Sequence, residues 1–336
     1  MGPRRTTVLL SAVVLALATP VAASAAPGTA TTGDRGGAAV DVLTTGLSGG
    51  AGSTVGPDGA LYVTEPESGE ISRVDRRTGA VTTFASGLPT RLAGTPGGAV
   101  DVVFLGRTAY ALVTLVDSSV GGDDVSGVYR VDGPAAVTPV ADLGAYSLAH
   151  PPATDFVVPS GVQYAIETYR GGFLVTDGHH NRLLRVTDGG DVGEAATFGN
   201  VVPTGIEVAG RTVLVAEAGP VPHLPETGRV TRVDLRDGGT RTVVAGGRLL
   251  VDVELGRHAL YGLSQGLFTV GNPEGSPADP DTGQLLRAAR TGGFAVVAEG
   301  LDRPTSLEVV RGTAYVVTLD GEVWTVDLDR RGHGHR

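Results

Sequence analysis

The sequence has no cysteine and no lysine, and its single methionine is Met1. The missing cysteine excludes disulfides, a thiolate nucleophile and any thiolate metal site. The missing lysine excludes Schiff-base chemistry and a lysine general base, and leaves arginine as the fixed positive charge. Apart from Met1 there is no thioether to oxidise, which suits life outside the cell. Aromatic residues are scarce at 5%, and no apolar run reaches the length of a membrane helix.

Export is expected from the first residues. Arg4 and Arg5 precede the apolar run Val8–Ala18, and Ala23-Ser24-Ala25 supplies small residues for cleavage. The expected organisation is a signal peptide over 1–25, a disordered linker over 26–39, a repeat domain over 40–328 and a disordered basic tail over 329–336. His333 and His335 fall in that tail. Removing residues 1–25 leaves 24 basic and 36 acidic side chains, a net charge of −12. That sign argues against nucleic acid and an anionic membrane surface as partners, and permits cationic ligands or metal ions.

The 52 glycines and the absence of a helical period direct attention to β repeats. Six hairpins are legible, each made of two β-rich runs around a tight turn. Examples are Gly56-Pro57-Asp58-Gly59 before Leu61-Tyr62-Val63, Gly106-Arg107 before Ala109-Tyr110, and Arg311-Gly312 before Ala314-Tyr315. A third run follows each hairpin, such as Ile71-Ser72-Arg73-Val74 or Leu183-Leu184-Arg185-Val186, and then a fourth. Four antiparallel strands per unit at this spacing predict an all-β, six-bladed β-propeller. The last unit lacks a fourth strand, and Val40–Leu47 has the matching pattern, so the N-terminal strand is expected to complete the last blade.

Insertions expected at 115–126, 144–160, 218–228 and 270–283 all fall on the face that carries second-to-third turns and blade crossings. Loops on a rigid scaffold usually carry binding, so this face is the expected working surface, with neutral drift of surface loops as the plain alternative.

The chain resembles the secreted ScyD/ScyE-type propellers, named for scytonemin biosynthesis, and more distantly the NHL-repeat and calcium-dependent lactonase propellers. The resemblance spans Val40–Asp327 and rests on the run from Gly56 to Glu65, on Phe173–Gly178 with Asn181–Val186, and on Pro203-Thr204-Gly205-Ile206. It implies the six-blade fold and an extracellular location, and supplies no established catalytic residues.

Candidate site residues fall in two groups. Glu167, Glu207, Glu254 and Glu308 each follow an aliphatic in a first strand, seven residues before Leu174, Leu214, Tyr261 and Tyr315. Placed around a central channel, they would hold a hard cation, share protons, or bond to neighbouring arginines and backbone donors. Glu65, Asp177 and Glu217 end second strands beside the channel mouth. Lactonase propellers use acids and asparagines there, so the resemblance makes Glu65, Asp177, Asn200 and Glu217 the candidate calcium ligands. Asn181 reads instead as a loop-stabilising residue. The Gly-x-Ser-x-Gly matches around Ser48 and Ser264 lack a following helix, so neither reads as a nucleophile elbow. The primary expectation is a monomeric extracellular binding or scaffold module for an unknown ligand or protein, with no catalytic residue assigned. The alternative is a calcium-dependent, lactonase-like hydrolase acting at the channel.

Overall fold

The computed structural model describes residues 38–329 apart from Glu274. The expected signal peptide, nearly all of the linker and nearly all of the tail lie outside the described residues. Twenty-four strands form six four-stranded antiparallel sheets, arranged as a six-bladed propeller. Five blades are simple meanders. The sixth combines Pro304–Val310, Thr313–Thr318 and Val323–Asp327 with the N-terminal strand Val40–Thr44. Val40 pairs with Val326 and Val42 with Trp324, so the chain closes its own ring. Leu47 continues the closure: its N–H donates to the Gly321 carbonyl and its side chain is buried.

The core is divided among the blade junctions. Along the second strand Gly172–Asp177, Phe173 and Val175 pack towards blade 2 while Leu174 packs towards blade 4. This is the period-2 alternation of a strand covered on both faces. Six buried clusters each straddle one junction, including that between blades 6 and 1, where Leu61, Val63, Tyr315, Val317 and Leu47 meet. A smaller group, Val202, Ala218, Leu249 and Ala278, lies at the base of the long loops.

The antiparallel order places all four expected insertions on one face. A further insertion, residues 86–97 in the crossing from blade 1 to blade 2, shares that face. These loops tie to one another. Ser119 and Ser160 hydroxyls lie 2.6 Å apart, and the His223 and Phe268 rings are 5.3 Å apart edge to face. A Cβ added at Gly275 would lie 4.0 Å from Cγ of Pro96, so the blade 5 loop reaches the crossing from blade 1 to blade 2. Among the described residues only Leu143–Ala149 is α-helical, and none of their helices is long and apolar enough to cross a membrane.

Deleting residues 38–47 should lower the melting temperature by about 10 °C or more, because it bares a strand edge and part of the cluster around Leu61. Far-ultraviolet circular dichroism with thermal melting checks this. A melt within a few degrees of the parent would contradict closure by this segment.

Candidate functional site

The first strands of neighbouring blades contact one another around the axis and line the central channel. Register puts Glu167 opposite Leu174, Glu207 opposite Leu214, Glu254 opposite Tyr261 and Glu308 opposite Tyr315. The four acids therefore sit at one height in blades 3 to 6. The matching places in blades 1 and 2 hold Thr54, opposite Tyr62, and Val103, opposite Tyr110. The result is a carboxyl crescent over four consecutive blades, not a full ring.

Sequence reading missed two further channel acids, Asp101 and Asp252. They lie two residues before the crescent position in blades 2 and 5, directly across the disc, next to register shifts in their strands. Each does the same structural job. Asp101 accepts from the N–H groups of Val102 and Ile166 at 2.8 Å, linking blades 2 and 3. Asp252 accepts from Val253 at 2.8 Å and Leu307 at 2.7 Å, linking blades 5 and 6. Each acid also presses against a glycine of the preceding blade. A Cβ at Gly52 would lie 2.1 Å from Asp101 Oδ1, and one at Gly205 would lie 2.5 Å from the Asp252 Cα. The recurrence of glycine then aspartate at the same place three blades apart was the available sequence signal.

Among the described residues none of these six acids forms an ion pair with a cation. Burial is the leading cause that raises each pKa, and the other carboxyls add to it for all but Glu207. Glu167 rises to about 8, and Glu207 and Asp252 to about 7. Asp101, Glu254 and Glu308 are held well above the ordinary carboxyl range. The neighbouring Glu254 side chain partly offsets the effect of burial on Glu207. All six are only partly shielded from solvent, which leaves water a route to them. Among the described residues none of the four glutamates forms an ion pair with an arginine, and Glu167 accepts from the Thr168 N–H at 2.9 Å.

The second group is dispersed. Glu65 is buried in blade 1 and accepts from the Ser48 N–H. Asp177 is buried in blade 3, where it accepts from Arg182 Nε at 3.0 Å and the Val162 N–H at 3.2 Å, beside His180. Glu217 pairs with Arg229 in blade 4, and burial raises its pKa. Asn200 is exposed in the crossing from blade 3 to blade 4, whereas Asn181 accepts from the N–H groups of Val201 and Val202 at 2.9 Å. Among the described residues, no three His, Asp or Glu side chains form a metal-ligating group. Each of these acids has protein partners of its own, Asp177 including Ser147 of the preceding crossing. Ser264 donates to the Arg248 carbonyl from within a strand, with no nucleophile elbow.

No family model matches the chain, and no curated protein matches it in sequence. Solved structures do resemble it in fold. A gluconolactonase from Xanthomonas campestris aligns with a TM-score of 0.60 at 11% identity, over 87% of this chain and 90% of that one. The PQQ-bound aldose sugar dehydrogenase from Streptomyces coelicolor gives 0.57 at 13%, over 87% and 99%. Virginiamycin B lyase from Staphylococcus aureus gives 0.53 at 13%, over 86% and 98%. At such identities these likenesses establish the propeller fold alone.

The raised pKa values fix the sign of a pH effect. The folded state holds more protons than the unfolded chain between pH 4.5, the ordinary glutamate value, and the folded values of about 7 to 8. The protonated crescent's contribution is fully present below that window and is lost as pH rises through it. Melting at pH 8 should therefore fall several degrees below melting at pH 5, and the Glu207→Gln/Glu254→Gln variant should show a smaller fall. A flat or rising profile in the parent would rule out the protonated crescent.

Proposed function

We propose that this chain is an exported hydrolase of small cyclic esters, working by general acid–base catalysis at the carboxyl crescent. The observation that carries the proposal is the placement of Glu207 and Glu254 at one register position on neighbouring channel strands, where burial raises Glu207 to about 7 and holds Glu254 well above the ordinary value. Two carboxyls in that state supply an acid and a base at once, the arrangement such chemistry requires. Glu207 takes a proton from the attacking water as its oxygen bonds to the lactone carbonyl carbon. Glu254 gives its proton to the ring oxygen as the acyl–oxygen bond breaks, yielding a hydroxy acid. Asp101 and Asp252 hold neighbouring first strands together and so position the pair. Support for a lactone substrate comes from the gluconolactonase among the structural neighbours. Export and kinship with the ScyD/ScyE-type propellers are part of the same proposal, on the strength of the N-terminal residues and the motifs quoted above.

The test is ring-opening of five- and six-membered sugar lactones by the secreted protein, followed by pH-stat titration. The rate should peak near pH 7, and Glu207→Gln or Glu254→Gln should each lose about 100-fold or more with the fold retained. No step passes through a metal ion, so a chelator should leave the rate unchanged. A parent no faster than the Glu207→Gln variant would sink the proposal.

One observation favours a second reading, an extracellular docking module. Leu148, Phe156, Val157, Val221, Leu224, Leu267 and Val270 are exposed, and all lie in the long loops of one face. Apolar side chains gathered on one face mark a partner surface. On this reading, Val157→Asp/Val270→Asp should abolish co-purification of a secreted partner without altering lactone turnover. Equal recovery of partners with parent and variant would remove it.

A further inference from the structure

Two adjoining concavities of about 470 and 520 Å³ lie on the short-turn face at the junction of blades 3 and 4, and share Tyr169, Arg170 and Arg236. Together they are lined by six arginines, Arg170, Arg185, Arg211, Arg232, Arg236 and Arg241, against the carboxylates of Glu194, Asp234 and Asp237. The chain as a whole carries a net charge of −10, so this groove has the opposite sign to its surroundings.

Comparison among the blades shows that this charge is left open. Five third strands carry an arginine at one register position: Arg73, Arg130, Arg185, Arg232 and Arg287, opposite Tyr62, Tyr110, Leu174, Leu214 and Tyr261. In blades 1 and 2 an aspartate neutralises it, with Arg73 at 2.7 Å from Asp58 and Arg130 at 2.6 Å from Asp132. Among the described residues, Arg185 and Arg232 have no such ion pair. Blade 4 goes further: its register sets Arg232 directly opposite Arg241, where the corresponding neighbours in other blades are Thr82, Thr138, Gly193 and Ala295. Like charges directly across a strand pair destabilise a sheet.

The groove's own acids do not relieve this. Asp234 accepts from the Arg236 backbone N–H at 3.0 Å, and Asp237 from Gly239 at 2.9 Å, so both are used in shaping the turn. Glu194 lies 4.0 Å from the buried guanidinium of Arg182. Arg170 and Arg185 lie over the Tyr169 ring, at 5.2 and 5.8 Å from its centre. Guanidinium groups seated on a ring keep their N–H edges for in-plane oxyanions, and phosphate and sulfate match that fork.

We propose that this groove is a binding site for a multivalent oxyanion, a ligand presenting at least two phosphate or sulfate groups to Arg232 and Arg241 and to the arginines around Tyr169. The bound anion would supply the counter-charge that this junction lacks. The site is separate from the carboxyl crescent and does not rest on the lactone proposal. Its ligand is either a free oligophosphate or a sulfated or phosphorylated polymer.

The test is titration calorimetry of the full secreted protein at low ionic strength with sodium tripolyphosphate and, in parallel, dextran sulfate. Tripolyphosphate should bind the parent, and Arg232→Gln/Arg241→Gln should weaken it about tenfold or more, a loss of about 1.4 kcal/mol. Without ligand the same variant should melt at or above the parent, since the facing charges are gone; this separates lost binding from lost folding. Arg287→Gln, at the matching place in blade 5, should bind tripolyphosphate as the parent does. Preference for dextran sulfate with the same dependence on Arg232 and Arg241 assigns the ligand to a polymer; preference for tripolyphosphate assigns it to a free anion. No tripolyphosphate binding, or equal binding by parent and Arg232→Gln/Arg241→Gln, would overturn the site.

Discussion

Everything in this molecule depends on each blade having two apolar faces and no means of covering either alone. Leu174 and Phe173 are neighbours in one strand, yet they belong to the cores of different junctions. Such a sheet is stable only between two others, so the array must continue until it meets itself. Val40–Thr44 makes the meeting permanent, because one blade is built from both ends of the domain. The ring is thus held by six sheet-on-sheet interfaces and one hydrogen-bonded closure, with no disulfide to assist.

The same constraint creates the channel. Six first strands forced together at the axis leave little room for side chains, and register shifts near the starts of five of them free backbone N–H groups that need acceptors. Asp101 and Asp252 answer that need across junctions, the Thr204 hydroxyl donates to the Leu250 carbonyl at 2.8 Å, and Ser53 meets Ser306 at 2.9 Å. The four crescent glutamates are different. Glu207, Glu254 and Glu308 join no such backbone link between blades, and Glu167 reaches only the N–H of its own neighbour Thr168. Burial and mutual repulsion are tolerated because the junction packing carries the stability, and the outcome is carboxyls that hold protons near neutrality.

Charge is accordingly segregated. The axis collects acids without cations, and the outer junction of blades 3 and 4 collects arginines without enough acids. Where a repeated position is structural, it is neutralised in place, as Asp58 does for Arg73 and Asp132 for Arg130. Among the described residues Arg185, Arg232 and Arg287 have no such pair, and only Arg232 also faces a second arginine across its strand pair.

The sequence by itself determined the blade count, the strand order, the closing role of Val40–Leu47 and the face of the long loops. These follow from short-range signals: period-2 apolar runs, tight turns, and a last unit short of one strand. It also placed Glu167, Glu207, Glu254 and Glu308 on one register, because their offset from the second strand is local. It did not reveal Asp101 and Asp252, whose role is to accept N–H groups from the next blade, some 55 to 65 residues away in the chain. Nor could it separate Glu65, Asp177 and Glu217, which look alike as strand-end acids but have different partners in space. Whether an acid keeps its proton, or an arginine its open charge, is decided by what the neighbouring blade brings within a few ångströms. Only the closed ring fixes those neighbours, so the chemistry of channel and groove belongs to the tertiary structure.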